Sequence, residues 1–367
     1  MAINVNTMLE KMLEMNASDL HLKVGSPPMV RVDGTLRPHP QNNEPLKPDD
    51  TLDIAQQLIM TNKRLKIPEI GSIDFSYAIP GVARYRVNVF HQRGTISLVL
   101  RMVKFQVPPF DELGLPAVIR EIAKYERGLV IVTGVTGSGK STTLASIIDH
   151  INETRSAHIV TIEDPIEFLY RDRQCIINQQ ELGLDFETFS DALKRALRQD
   201  PDIILIGEMR DQETIRAAIT AAETGHMVLS TLHTMDATQT VDRVLKYFDT
   251  DEQELIRMQL SLNLKAVISQ RLLKRAAGRG RVPAVEVLVA TPVVQKLIFE
   301  GRTKELKAAI TSRESGMQSY NQALVELVKK GTVAKEEALL YVDNPQAFER
   351  NLKGGYSDGD KGGLIGF

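Results

Sequence analysis

The sequence predicts an α/β protein in two parts: a core built on a parallel sheet flanked by helices, preceded by a smaller α+β domain. Two observations carry this. From about residue 117, helical stretches alternate with the apolar runs GLVIVTG, AHIVTIED, PDIILIGE and GHMVLSTLH. A strand that is apolar at nearly every position is buried on both faces, as in a sheet between two helical layers. Before about residue 103, the strand-like runs are shorter and break at Asp33-Gly34, Pro80-Gly81 and Arg93-Gly94, the punctuation of hairpins. The proline-rich KFQVPPFDELGLP between the two patterns marks a linker. The expected boundaries are 1–103 for the N-terminal domain, 104–116 for the linker and 117–352 for the core with its C-terminal helices. The remainder, 353–367, is glycine-rich and reads as a disordered tail.

The elements follow in order. Ile3, Met8, Leu9, Met12 and Met15 lie near helical spacing, after which SDLHLKVG alternates Leu20, Leu22 and Val24 as a strand does. PPMVRVDGTLRP reads as a hairpin whose Asp33-Gly34 turn supplies positive φ angles. A helical stretch near 49–60 precedes the three strand-like runs of SIDFSYAIPGVARYRVNVFHQRGTISLVLRMV. Beyond the four apolar strands of the core, residues 252 to about 342 read as helical, and no internal repeat is present.

Composition bounds the function classes. Of 367 residues, 43% are hydrophobic and 25% charged, as in an ordinary soluble protein. Lys plus Arg total 45 against 47 Asp plus Glu, a net charge of −2 that gives no general attraction to nucleic acid or anionic lipid. The single cysteine, Cys175, excludes an intrachain disulfide and a four-cysteine zinc module. The start, MAINVNTMLEKMLEMN, carries acids where a signal peptide needs an apolar core. No apolar run reaches the ~18 residues that span a bilayer. A cytosolic protein is expected, one that meets a membrane surface through a partner.

The chemistry is announced by GLVIVTGVTGSGKSTT. It matches GxxxxGK[ST] from Gly134 to Ser141, follows an apolar strand and opens a helix with Leu144, Ile147 and Ile148. Glycines let backbone N–H groups converge on phosphate oxygens, and the helix N-terminus adds partial positive charge. The candidate phosphate-binding set is therefore Gly134, Thr136, Gly137, Ser138, Gly139, Lys140, Ser141 and Thr142. Lys140 can reach the β- and γ-phosphates of ATP, and the Ser141 hydroxyl can ligate Mg²⁺. Such a cradle needs an acid on a neighbouring strand. PDIILIGEMRD offers Glu208 at the carboxyl end of a run, where ligands meet an open parallel sheet, and Glu208 is the second candidate metal ligand. HIVTIEDPIEF ends another strand with Glu163, Asp164 and Glu167. Glu163 is the expected general base for the attacking water.

ETGHMVLSTLHT places His226 and His233 seven positions apart. On a strand they point to opposite faces, and no Cys or HExxH element supports zinc. His233, at the carboxyl end with Thr231 and Thr234, can touch the terminal phosphate or the water and report nucleotide state; His226 is the weaker candidate for the same role.

Four motifs in this order resemble the secretion ATPase superfamily: GVTGSGKST as Walker A, TIEDPIEF as the Asp box, LRQDPDIILIGEMRD as Walker B and TGHMVLSTLHT as the His box. With SDLHL and the DGTL hairpin, the chain is similar, from residue 8 to 350, to the type IV pilus retraction branch (PilT/PilU-like) of that superfamily. The resemblance implies a RecA-like P-loop ATPase core and a PAS-like N-terminal domain, assembled as a homohexamer with each N-terminal domain on the core of the neighbouring subunit. It assigns Glu163 as catalytic glutamate, Glu208 as Walker B glutamate, and His226 and His233 as His-box residues. It also implies arginines acting on the transition state, for which Arg86, Arg93 and Arg101 are the candidates. The implied partners are an inner-membrane platform protein at the pilus base and paralogous retraction ATPases, with no nucleic acid, and the implied location is the cytoplasmic side of the inner membrane.

Two departures stand out: Val135 replaces the family's usual proline, and TPVVQKLIFEGRTKEL stands where retraction motors read close to AIRNLIREGK. The second leaves open a main motor or an accessory PilU-like ATPase. Two rivals remain, a RecA-like nucleic-acid translocase and a nucleotide-gated scaffold without turnover. The basic stretch RLLKRAAGRGR has two readings, a solvated helix end and hairpin or a contact for an acidic partner or leaflet.

Overall fold

A computed structural model of the chain describes residues 4–60, 66–103, 107–278, 280–342 and 344–354. It divides into two compact units, Met1–Gln106 with Pro165–Leu169, and Val107–Asp164 with Tyr170–Phe367. The expected tail from residue 355 onward, linker residues 104–106, Ile3 and Arg279 lie outside the described residues.

The first unit is α1 (Val5–Glu14), β1 (Asp19–Lys23), β2 (Met29–Val32), β3 (Thr35–Pro38), α2 (Pro48–Ile59), β4 (Ser72–Ile79), β5 (Ala83–Gln92) and β6 (Thr95–Val103). Asn4 starts α1 because its side-chain oxygen accepts the backbone N–H groups of Asn6 and Thr7, at 3.0 and 3.4 Å, which would otherwise have no partner. The strands form one antiparallel sheet in the order β3-β2-β1-β6-β5-β4. Asp33 and Gly34, at φ 49° and 81°, make the β2–β3 turn. One face of the sheet buries Leu20, Leu22, Val30, Val87, Val89, Leu98 and Leu100 in a core with α1 and α2. Tyr85 is fully buried there and its hydroxyl donates to the Leu9 carbonyl at 2.8 Å.

The second unit runs α3 (Val118–Ala123), β7 (Gly128–Thr133), α4 (Lys140–Thr154), β8 (His158–Glu163), β9 (Ile176–Glu181), α5 (Phe189–Ala196), β10 (Ile203–Ile206), α6 (Gln212–Glu223) and β11 (Met227–Leu232). It continues with α7 (Ala237–Leu245), α8 (Gln253–Asn263), β12 (Leu264–Lys274), β13 (Arg281–Val289), α9 (Pro292–Phe299), α10 (Leu306–Thr311), α11 (Tyr320–Lys329), α12 (Lys335–Leu339) and α13 (Pro345–Leu352). Its seven strands are ordered β13-β12-β7-β11-β10-β8-β9. All are parallel to their neighbours except β13, which is antiparallel to β12. Every residue of β7, β10 and β11 is buried, as the apolar runs require. Register levels the carboxyl ends: Thr133 lies beside Leu232, Ser230 beside Ile206, and Ile206 beside Ile162. Among the described residues no helix is long and apolar enough to cross a membrane.

One expectation fails here. Residues 252 to 342 are not uniformly helical, because β12 and β13 form a hairpin inside that span. Leu260, Leu264, Val267, Ile268 and Leu272 fit a helical period as well as a buried strand, and pairing of β12 with β7 decides the outcome. The described residues of the basic stretch 271–281 are therefore strand ends and a hairpin connection, with Gly278 and Gly280 at φ 80° and 99°.

Strand β13 also carries a buried acid. Glu286 is 7% exposed and accepts the Ala237 N–H at 2.9 Å. Burial pushes its carboxyl up to about 7, the negative charge of Asp236 adds to this, and the Ala237 N–H opposes it. The folded chain thus keeps this proton to higher pH than the unfolded chain, and the stability so contributed is whole below the ordinary carboxylate range and lost as pH rises through about 7. Glu286→Gln should raise stability at pH 8 by ~1–3 kcal/mol and by clearly less at pH 5, measured as urea midpoints against the parent. Equal gains at both pH values would contradict the assignment.

Candidate functional site

The phosphate loop joins β7 to α4. Gly134 sits at φ 140°, and a Cβ there would lie 2.5 Å from both the Gln270 carbonyl oxygen and Ser138 Oγ, so only glycine lets the loop leave the strand at this point. Gly139, at φ 96°, is the N-cap of α4. The Ser138 N–H donates to the Val135 carbonyl at 3.1 Å, and the Thr143 N–H to the Gly139 carbonyl at 3.0 Å. Thr136, Gly137 and Val135 form the exposed tip; Ser141 and Thr142 occupy the half-buried first turn of the helix. The Lys140 side chain is buried and folds back, its Nζ donating to the carbonyls of Gly134 at 2.9 Å and Val135 at 3.3 Å. Ser138 Oγ is buried and has no hydrogen-bond partner among the described residues. A concave turn of glycine backbone, a cation at its rim, an unsatisfied buried hydroxyl and a helix N-terminus fit a polyphosphate. The Ser141 hydroxyl and an outer carboxylate fit a magnesium ion that takes its other ligands from phosphate and water.

The acids stand on the same edge of the sheet. Glu163 is the last residue of β8, 7% exposed; it accepts the Thr161 hydroxyl at 2.7 Å and the Gln179 amide at 3.2 Å on Oε1. Glu208 follows β10. Its Oε2 accepts Arg210 Nε at 2.9 Å and its Oε1 faces His233 Nε2 at 3.1 Å, while Arg210 Nη1 reaches Asp164 at 3.3 Å. The hydrogen bond to Glu208, with the nearby charges of Glu208 and Asp164, raises the Arg210 pKa further above its ordinary range. A Cβ at Gly207 would lie 3.4 Å from Glu163 Cα, so the chain just before Glu208 runs close against the end of β8.

Structure and expectation part at several residues. His226 precedes β11 and His233 follows it, so they lie at opposite edges of the sheet, about 23 Å apart along an extended strand. His226 Nδ1 lies 3.0 Å from the Ala221 carbonyl and 3.1 Å from the Thr224 hydroxyl, so this histidine closes the end of α6 and is not brought to the loop of its own chain. The Thr231 hydroxyl donates to the Gly207 carbonyl at 2.7 Å and that of Thr234 pairs with Thr240 at 2.7 Å; both brace the scaffold. The three arginines lie in the first unit. Arg86 is exposed on β5 directly opposite Arg101 on β6, and Arg93 occupies the following turn at φ 51°. Arg101 Nε donates to Asp19 at 2.7 Å. Burial pushes the Asp19 carboxyl up, but the hydrogen bonds from Ser18 and Arg101 outweigh it and hold the acid below its ordinary range.

Sequence reasoning missed Arg210, Gln179 and Gln270. Arg210 was legible as the basic residue two positions after Glu208, and Gln270 as a polar residue, fully buried like its neighbour Ser269, where KAVISQRLL reads as largely apolar. Gln179 sits on the polar edge strand β9 and gave no signal.

Known proteins are similar to the chain over nearly its whole length. A family model described as type II/IV secretion system protein matches residues 1–340. The chain is 44% identical over 347 residues to the type IV pilus retraction ATPase PilT of Pseudomonas aeruginosa, spanning 94% of this chain and 100% of that one. It is 40% identical over 355 residues to the type IV pilus ATPase PilU of the same organism, spanning 96% and 92%. Among solved structures, the pilus retraction motor PilT with bound ADP superposes with a TM-score of 0.87 at 42% identity, covering 95% of this chain and 99% of that one.

Proposed function

The chain belongs to the type II/IV secretion system protein family, and on that premise we propose that it is an ATP-hydrolysing motor driving type IV pilus retraction. The observation that carries the reading is the gathering of Glu163, Glu208 and His233 on the one sheet edge that also bears the Gly134–Ser141 loop. In this reading the loop N–H groups and Lys140 bind the triphosphate, and Lys140 exchanges its carbonyl partners for β- and γ-oxygens. Ser141 and Glu208 would hold Mg²⁺, which when bound neutralises charge on those oxygens. Glu163 takes the proton of the attacking water as it closes in line on the γ-phosphorus. His233, tied to Glu208, shifts when the γ-phosphate leaves and so transmits nucleotide state. Arg86, Arg93 and Arg101 act from a neighbouring copy in a homohexamer, and the ring delivers its stroke to a membrane platform protein from the cytoplasmic side.

A second reading, an accessory retraction ATPase, draws on TPVVQKLIFEGRTKEL in place of the AIRNLIREGK-like segment and on the similarity to PilU. Expression in a non-retracting strain, with and without a paralogous ATPase, tests both. Restored twitching by this chain alone is the expected result for a main motor, and restoration only alongside the paralogue for an accessory one. Stimulation of ATP hydrolysis by single-stranded DNA would instead point to a translocase.

A further inference from the structure

Strand β12 has two working faces. On one, Gln270 is 1% exposed, and its Nε2 donates to Thr143 Oγ1 at 2.9 Å in the first turn of α4. Its backbone oxygen occupies the space a Cβ of Gly134 would need, and Leu272 packs where a Cβ of Gly139 would meet it at 3.7 Å. The hairpin partner adds Arg281, whose Nη1 lies 3.5 Å from the Gly137 carbonyl. The phosphate loop is thus backed by β12 at Gly134 and Gly139, and by the hairpin at Gly137. On the opposite face, Arg271 stacks 4.2 Å from the Tyr320 ring centroid and donates to the Tyr341 carbonyl at 2.6 Å. Leu273 there joins the core formed with Leu324 and Phe348 of α11 and α13. A buried glutamine is costly unless both ends of its amide are satisfied, yet Gln270 Oε1 has no hydrogen-bond partner among the described residues.

We propose that Gln270 is a positioning residue for nucleotide binding: it fixes the first turn of α4 through Thr143 and seats the Gly134–Ser141 loop against β12, so the loop's shape depends on the strand that also carries the C-terminal helices. This rests on the reading of the loop as an ATP site. The amide does not touch nucleotide. It acts through the Thr143 hydroxyl, and the strand's other face ties that hydroxyl to α11 and α13.

The test uses the full chain, with the fluorescent analogue mant-ADP in the presence of Mg²⁺ and steady-state ATP hydrolysis. Gln270→Leu, similar in size without the amide, should weaken mant-ADP binding and raise KM for ATP about tenfold, with kcat within about threefold of the parent. Thr143→Val should do the same, and the double variant should be no worse than the worse single one, because both remove one interaction. A general loss of packing would instead lower kcat and thermal midpoint together. Unchanged affinity in Gln270→Leu, or losses that multiply in the double variant, would overturn the proposal. If Gln270→Leu fails to fold, Thr143→Val decides alone, since it leaves the glutamine in place, and unchanged affinity there overturns it. Failure of the parent to bind mant-ADP would refute the ATP reading itself, a separate result.

Discussion

Replacing Glu163 with glutamine is expected to leave nucleotide affinity within a few-fold of the parent while ATP turnover falls by about 10²–10⁴. The substitution keeps the shape. Oε1 still accepts the Thr161 hydroxyl and the Gln179 amide, now held at 2.7 and 3.2 Å, so β8 and β9 keep their register. What disappears is the ability to take a proton. An amide cannot serve as base, and a water held in line with the γ-phosphorus then attacks only as fast as orientation and charge stabilisation allow. Phosphate release under saturating ATP, beside mant-ADP titration, separates the two effects. Turnover within tenfold of the parent would remove Glu163 from the role of base and move attention to Glu208.

Lys140→Ala is expected to abolish turnover and to weaken nucleotide binding about a hundredfold or more, because it removes the cation nearest the β- and γ-phosphates. In the folded chain this side chain is largely buried, its ammonium hydrogen-bonded to two loop carbonyls. Moving it onto anionic oxygens therefore costs little desolvation and gains charge-assisted hydrogen bonds. Circular dichroism should be unchanged, since α4 is anchored by Leu144, Ile147, Ile148 and Ile151 on its buried face. ATPase activity persisting in Lys140→Ala would show that phosphate is bound elsewhere.

How far the sequence could be read depended on the range of the signals. The loop, Glu163, Glu208 and His233 each sit at or just beyond the end of an apolar run, and a parallel sheet brings such ends to one edge. Their meeting followed from local pattern plus topology. The first unit was equally legible, because Asp33-Gly34, Pro80-Gly81 and Arg93-Gly94 punctuate its hairpins locally. Three things were not. β12 has no period of its own, and its identity comes from pairing with β7, far away in sequence. β9, with the sequence IINQQE, is a polar edge strand whose only cue is the neighbour it follows. Finally, motif membership placed His226 with His233, whereas the six residues of β11 hold them at opposite ends. A shared motif fixes order along the chain; distance in space depends on the conformation between its members.

The order of strands around β7 bears on how the chain can be made. β7 begins at Gly128, but its two neighbours begin at Met227 and Leu264. During synthesis at roughly 5–20 residues per second, the nucleotide-binding strand waits several seconds with both edges unpaired. Those edges invite intermolecular strand pairing, and the pairings that cover them close long loops and are slow to form. Nascent chains stalled before residue 264 should therefore depend on chaperones and aggregate without them, whereas the antiparallel sheet of the first unit, complete by Val103, has its strand partners as soon as it emerges.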